Sequence, residues 1–426
     1  MRILIVTQWY PPEPMKIFGE LAETLHVLGN EVTVLTGFPN WPSGRLYPGY
    51  RLKLWQKEEQ NGIRIIRVAL FPDHSRSALR RILNFVTFGL STTIVGAWIC
   101  PRSDVIHLIQ PPITAGFSVC LLAALWRVPF TIEIQDMWPE NLRATGMLKH
   151  ERALAVVGWL ARAIYRRASA IRVISQGFRT NLLEKGVSDS KIRVISNWVD
   201  TDHYHPVLPD PELASTLSFT DRFTVMYAGT IGLAQGLDVV LDAASLLRDL
   251  SSVEFVLVGD GIEAERLRQL ASTRRLSNVR FLGRYPGEEM PALYALADVL
   301  LVHLRDDPLF RVTIPHKVFA YLASGKPVLA AMEGDVAALV ESTGSGLTCP
   351  PGDPIALAAT VRTFYTMSPE TRATIGEKGR NAVCHSYNRH KLVGEIGAML
   401  EDALMRTGTA LPSSERLTGS DIRTDR

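Results

Sequence analysis

Two stretches of this 426-residue chain place cations and glycines where an anion could be held. RVTIPHKVFAYLASGKPVL (311–329) sets Pro315 where it can open a helix, puts His316 and Lys317 in the first turn, and has Arg311 just upstream. A helix N-terminus offers unpaired N–H groups and a positive partial charge, so phosphate is the expected ligand; a solvated helix start is the alternative. YAGTIGLAQGLD (227–238) places Gly229 and Gly232 in a loop that opens a second helix, where small residues let the backbone approach phosphate oxygens. VGDG (258–261) sets Gly259 and Gly261 at a strand end, a pattern that a simple turn also satisfies. Elsewhere, Asp136 closes the apolar strand PFTIEIQD, and Glu140 lies one helical turn further. A carboxylate at that end of a parallel strand faces the ligand crevice and can orient a hydroxyl or take its proton; the other reading of Asp136 is a helix N-cap. Tyr10, Asn40 and Trp41 sit in loops after strand ends, where aromatic faces could stack on a ligand or only pack the loop.

These residues need strand ends to hold them, and the pattern supplies strands. Ile3–Thr7, 31–37, 62–68, 104–112, 129–136, 170–175 and 191–196 are apolar runs alternating with helical segments such as 16–29 and 114–126. The series restarts at 222–230 and continues through a helix at 236–249 and strands at 253–261, 278–284, 298–304 and 326–332. Strands alternating with helices predict parallel, doubly wound sheets. The expected architecture is α/β: two Rossmann-like domains facing across a cleft, over 1–197 and 222–385. Residues 198–221, rich in Pro, Asp and Ser, form the linker, 386–405 a C-terminal helix packing back towards the first domain, and 406–426 a polar tail without an apolar face, expected to be disordered.

Several blocks in order resemble the family 4 glycosyltransferases of the GT-B fold over about 1–400: QWYPPEP, NEVTVLTGFPNWPSGRLYPGY, IEIQDMWPE, SNWVD, YAGTIGLAQGLD, VGDG and IPHKVFAYLASGKPVL. TGFPNWPSG, QDMWPE and IP-x-K are most similar to the WbuB-like subgroup of bacterial L-fucosamine transferases. The resemblance implies transfer of a sugar from a nucleotide sugar to a polyprenyl-diphosphate-linked saccharide in O-antigen, capsule or exopolysaccharide assembly. It implies UDP as the nucleotide, net retention at the anomeric carbon, and no metal or other cofactor. The leaving diphosphate then needs cations, which assigns catalytic roles to Lys317 and Arg311, while Asp136 would orient the acceptor hydroxyl or accept its proton. The donor set implied is Gly229, Thr230, Gly232, Gln235, Gly259, Gly261, Arg284, Tyr285, His316, Lys317, Tyr321 and Glu333; the acceptor set is Tyr10, Asn40, Trp41, Asp136 and Glu140. The chain departs from the family at telling positions. Thr230 and Gln235 stand where relatives carry Arg and Lys, and Val312 and Ala320 where relatives carry a Glu-x7-Glu pair. Arg311 with Lys317 would supply the missing charge, and Glu333 is the nearest carboxylate that could replace the missing glutamates. Asp306 and Asp307 suggest a GT-A-type metal motif, but the order of elements is wrong for that fold.

Charge is divided unevenly. Residues 1–200 hold 24 Lys+Arg against 15 Asp+Glu, and the remainder 22 against 28. The uncharged segment 82–101 is flanked by Arg76, Arg80, Arg81 and Arg102. Asn, Thr, Ser and Gly dilute it, so a buried or interfacial helix is expected in preference to a bilayer span. With the basic cluster at 143–193, it predicts peripheral attachment of the first domain to an anionic membrane surface, on the cytoplasmic side. Four scattered cysteines suit neither a disulfide framework nor a zinc site, and no signal peptide is expected. No G-x-G-x-x-G follows the first strand, which argues against a nicotinamide enzyme, and no nucleic-acid recognition motif is present. A nucleotide-sugar 2-epimerase of the same architecture, and a two-domain small-ligand binding protein, are the competing readings.

Overall fold

The structure is a computed structural model that describes residues 1–406 except 76, 145, 146 and 149. Arg76 and nearly all of the polar tail expected to be disordered therefore lie outside the described residues. The first sheet comprises β1 (Arg2–Val6), β2 (Glu31–Gly37), β3 (Trp55–Gln60), β4 (Ile63–Val68), β5 (Val105–Gln110), β6 (Phe130–Ile134), β7 (Ala170–Val173) and β8 (Ile192–Val194). Their order is β3-β4-β2-β1-β5-β6-β7-β8, and every pairing is parallel except the β3–β4 edge hairpin. Among the described residues, the helices of this half are α1 (Lys16–Val27), α2 (Ala78–Ile99), α3 (Thr114–Trp126), α4 (Glu140–Ala144), α5 (Glu151–Arg167) and α6 (Gln176–Glu184). Apart from β3, the strands are dominated by Val, Ile and Leu because both sheet faces are covered.

The second sheet comprises β9 (Phe223–Ala228), β10 (Val253–Val258), β11 (Val279–Gly283), β12 (Val299–His303), β13 (Val328–Ala331) and β14 (Gly346–Cys349). It is wholly parallel, in the order β11-β10-β9-β12-β13-β14. Its strand order reverses between β9 and β12, so a crevice opens above their carboxyl ends. The Gly229 loop follows β9, and the helix His316–Ala323 lies between β12 and β13. The segment 198–221 is not wholly irregular: Asp210 caps a short helix, Pro211–Thr216.

The chain crosses between domains twice, and the crossings touch at a β-bridge between Val199 and Asn388. After the second crossing, the helix Arg389–Met405 lies on the first sheet. Its Leu392, Val393, Ile396, Met399 and Leu400 share a core with Ile3, Ile5, Leu21, Leu25 and Trp198. On that face the first sheet buries a polar cluster. Glu133 meets Arg172 at 2.5 Å and His107 Nε2 at 3.2 Å, and the Arg172 guanidinium lies over the Trp198 ring. The Arg172 charge, with hydrogen bonds from His107 and Gln135, outweighs burial and holds the Glu133 carboxyl down at about 2. The domains are also tied directly. Ser175 Oγ donates to the Val312 carbonyl at 2.6 Å, and the Gly177 N–H donates to Asp335 at 2.9 Å.

Helix α2 covers the range expected of the uncharged segment and is long and apolar enough to cross a membrane by length and composition alone. Here it lies against the domain with one face buried. Asn84, Phe88 and Thr92 point inward, and α3 packs beside it through Thr114 Oγ1 to Phe85 O (2.6 Å) and Ser118 Oγ to Gly89 O (2.7 Å). The opposite face leaves Leu90, Ile94 and Trp98 exposed, the last at 83%.

Candidate active site

A cleft of about 750 Å³ lies above β9 and β12, walled by Trp41 and Pro42 of the first domain and otherwise by the second domain and the crossing segment. It gathers Gly229, Thr230, Gly259, Gly261, Arg284, Tyr285, His316 and Lys317 from the residues expected at the donor side. Tyr204, Asp260, Tyr294 and Ala320 also line it.

Lys317 is central. It stands in the first turn of the helix His316–Ala323, whose leading N–H groups have no acceptor within the helix. Its Nζ donates to Tyr227 Oη at 2.7 Å and lies 3.9 Å from that ring's centroid. Tyr227 Oη in turn donates to the Thr230 carbonyl at 2.6 Å, which fixes the loop. No carboxylate lies within ion-pair distance of Lys317 among the described residues. Burial without a counter-ion pulls its ammonium down to about 7. Gly229 is required beside it. Its φ is +141°, and a Cβ there would come within 2.5 Å of Nζ. Gly259 packs even more tightly, since a Cβ would meet the Gly229 carbonyl oxygen at 1.8 Å. These glycines let two loops close around one ammonium.

His316 Nε2 lies 3.0 Å from the Trp198 carbonyl, which can only accept, so that nitrogen carries the proton. Burial lowers the imidazole's pKa and favours the neutral ring. Trp198 is itself held by Nε1 donating to Glu20 at 2.7 Å. Arg284 reaches the cleft rim and makes no ion pair among the described residues. Lys317 and Arg284 are therefore two uncompensated cations on one cleft.

Several expected residues lie elsewhere. Arg311 does not line the cleft: its guanidinium sits 3.0 Å from Asp306 and 3.2 Å from Glu333, so this cation and Glu333 neutralise each other on the surface. Asp307 caps the short helix after it, accepting from Leu309 N. Tyr321 is buried below the cleft, accepting from the Ala228 N–H and donating to the Ala228 carbonyl, so it locks the end of β9. Gln235 Oε1 takes the Gly232 N–H at 3.1 Å, which closes the turn and leaves neither group for a phosphate. The N–H groups of Gly229, Gly259 and Gly261 are likewise spent, on Val258 O, Gly283 O and Asp260 Oδ1. The glycines therefore shape the cleft, and the lysine and the helix start are left to meet an anion.

On the first domain, Trp41 reaches the cleft. Tyr10 is 3% exposed within the core, and Asn40, 2% exposed, spends its side chain on the Phe38 carbonyl. The unexpected organiser is Glu13, whose buried carboxylate accepts N–H groups from Tyr10, Asn40 and Trp41 at 2.8–3.0 Å. Glu140 is ion-paired with Lys185 at 2.8 Å. Asp136 sits past the end of β6, outside the cleft lining, bonded to Asn141. Burial raises its carboxyl to about 6. Val312 packs its side chain against Gly177, where a Cβ would lie 2.3 Å from Val312 Cγ1, so the position is used to join the domains.

Two doubly wound domains closing on a cleft form the GT-B architecture, and the activity is read from the families that the two halves match. Residues 16–198 match the glycosyl transferase 4-like domain and residues 222–367 the domain of glycosyl transferases group 1. The chain belongs with these enzymes: it is a GT-B glycosyltransferase built from those two domains in that order. "Probable glycosyltransferase WbjE" of Pseudomonas aeruginosa is 28% identical over 71% of this chain and 76% of the relative. WcaI of Escherichia coli K12, a glycosyl transferase assigned to colanic acid biosynthesis, is 28% identical over the same shares. In fold, the chain is similar to sucrose-phosphate synthase from Thermosynechococcus elongatus, with a TM-score of 0.76 and 19% identity over 95% of this chain and all of the other. It is also similar to Anabaena HepE in complex with UDP, with a TM-score of 0.70 and 17% identity over 94% and 100%.

Proposed function

We propose that this glycosyltransferase moves an N-acetylated deoxyhexosamine, of the N-acetyl-L-fucosamine type, from a UDP-linked donor to a polyprenyl-diphosphate-linked saccharide during bacterial surface polysaccharide assembly. The observation that carries the donor half is Lys317, a half-buried ammonium without a counter-ion, set at a helix start beside a glycine loop. As the bond to the anomeric carbon breaks, negative charge grows on the diphosphate, and Lys317, the helix N–H groups and Arg284 are the groups positioned to take it. The polysaccharide setting rests on the kinship with WbjE and WcaI, and the sugar rests on the WbuB-like blocks. Retention at the anomeric carbon and turnover without a divalent ion are part of the same reading.

On the acceptor side, Trp41 offers a ring at the cleft wall, and Asp136, with its carboxyl raised towards neutrality, is the candidate to orient or deprotonate the acceptor hydroxyl after domain closure. The exposed apolar face of α2 among basic residues supports attachment of the first domain to the inner face of the cytoplasmic membrane. A thermal-shift screen of nucleotide sugars tests the donor: UDP-N-acetylhexosamines raise the melting temperature of the wild type and leave Lys317→Ala unmoved. A donor that stabilises both proteins equally removes Lys317 from the site.

A further inference from the structure

The two ring nitrogens of His316 are unequally used. Nε2 donates to the Trp198 carbonyl at 3.0 Å. No protein group bonds Nδ1 among the described residues, and the ring is exposed where it lines the cleft. The carbonyl that sets this arrangement is firmly held. Trp198 is wholly buried, its Nε1 donates to Glu20 of α1 at 2.7 Å, and the Arg172 guanidinium lies 5.4 Å from its ring. With the proton kept on Nε2, Nδ1 carries a lone pair and can only accept. A second proton is disfavoured there. The ring stands at a helix start, where the partial charge is positive, on a cleft that also holds Lys317 and Arg284.

This arrangement is the wrong one for the phosphate that the sequence led us to expect. A diphosphate ionised near neutral pH brings only acceptor oxygens, and one of them facing Nδ1 would set two lone pairs together. The rest of the lining is rich in donors. Lys317, Arg284 and the Trp41 indole can donate but not accept. Asp260 is the only carboxylate among the described lining residues, and one of its oxygens already takes the Gly261 N–H. Yet a nucleotide sugar is more than its diphosphate. Its ribose and its transferred sugar bring hydroxyls, and each hydroxyl that leaves water needs an acceptor. Ala320 lies four residues on, along the same helix face, and also lines the cleft, so a small side chain leaves room beside the imidazole.

We infer that His316 recognises the nucleotide sugar through a hydroxyl: Nδ1 accepts a hydrogen bond from an O–H of the ribose or of the transferred sugar. This rests on the reading of the cleft as the donor site. Lys317 then holds the anion and His316 the polyol, so two neighbours in one helical turn divide the ligand between charge and hydroxyl.

The test is titration calorimetry of the full chain at pH 7.5 with UDP, 2′-deoxy-UDP, 3′-deoxy-UDP and UDP-N-acetylglucosamine. His316→Gln can keep the bond to Trp198 through its amide N–H and loses the acceptor at Nδ1. His316→Asn places an oxygen near the position of Nδ1 and loses the bond to Trp198. His316→Gln is expected to bind about fivefold more weakly than the wild type, and His316→Asn to stay within about twofold of it. A loss that is present with UDP and vanishes with one of the deoxy analogues assigns the ribose. A loss seen with UDP-N-acetylglucosamine alone assigns the transferred sugar. The inference is overturned if His316→Gln matches the wild type on every ligand, or if only His316→Asn loses affinity, which makes the histidine a brace for Trp198. An equal loss with inorganic pyrophosphate also overturns it, by putting phosphate on the ring. A wild type that binds neither UDP nor UDP-N-acetylglucosamine overturns the donor reading and the inference together; a wild type that binds both, matched by His316→Gln, overturns the inference alone.

Discussion

Lys317 should make donor binding depend on pH in a way that can be calculated. In the free protein its ammonium is held near 7 because burial is uncompensated. A diphosphate seated beside Nζ supplies the missing counter-charge and should return the group towards its ordinary value of about 10.4. The protonated form is then the one that binds, and affinity above neutrality tracks its fraction. With a free value near 7, that fraction drops about 20-fold between pH 7.5 and 9, close to 2 kcal/mol of binding energy. The window lies above the last phosphate ionisation of UDP, at about 6, so the ligand's charge is constant across it. Isothermal titration of UDP at pH 8 in buffers of different ionisation enthalpy should show uptake of about 0.9 proton per UDP bound. Lys317→Met should bind UDP weakly with no pH slope and no uptake, while Arg284→Gln weakens binding and keeps both. A wild type without proton uptake at pH 8 refutes the reasoning: the ammonium would then be charged before UDP arrives, or would not touch the diphosphate.

Two further substitutions test the frame around the site. Gly177→Ala drives a Cβ to within 2.3 Å of Val312 and 2.9 Å of Asp335, so the seam between domains must part; kcat/KM should fall at least tenfold with UDP binding retained, and small-angle scattering should report a larger radius of gyration. Glu133→Gln leaves the buried Arg172 without its anion and should cost about 3–5 kcal/mol in urea denaturation at pH 7. Because the folded carboxyl is depressed to about 2 from an unfolded value of about 4.3, its contribution is present above the unfolded value and is lost as pH falls towards 2, so the gap between the two proteins should narrow over that range.

The sheets were legible because parallel strands covered on both faces write themselves as apolar runs. β3 was not: WQKEEQ carries its charges on an exposed edge, pairs only with β4, and has no buried face to impose alternation. Lys317 was legible from Pro315 and the helix behind it. Arg311 misled, because a cation five residues from the carboxylate of Asp306 reads the same as one facing a ligand, and only the fold brings Glu333 to its other side. Tyr10 and Asn40 misled for a related reason. A loop after a strand end can present a side chain to ligand or fold it under, and Glu13, which decides between them, acts through backbone N–H groups that no residue pattern displays. Tyr227 was hidden in the run of β9, where nothing distinguishes a core tyrosine from one bonded to a lysine ninety residues away.

The helix Arg389–Met405 gives the chain an unusual order of assembly. Domains generally fold as units while the ribosome is still synthesising the rest of the chain, the N-terminal one first. Here the face of the first sheet that carries Glu133 and Arg172, with Trp198 packed on it, waits for Leu392, Ile396 and Leu400, which are made after the second domain. The domain begun first is finished last, after the whole second domain has emerged. A fragment ending before residue 389 would contain both sheets and still leave a face of the first one bare, so the shortest piece that can fold as this enzyme extends through the helix Arg389–Met405.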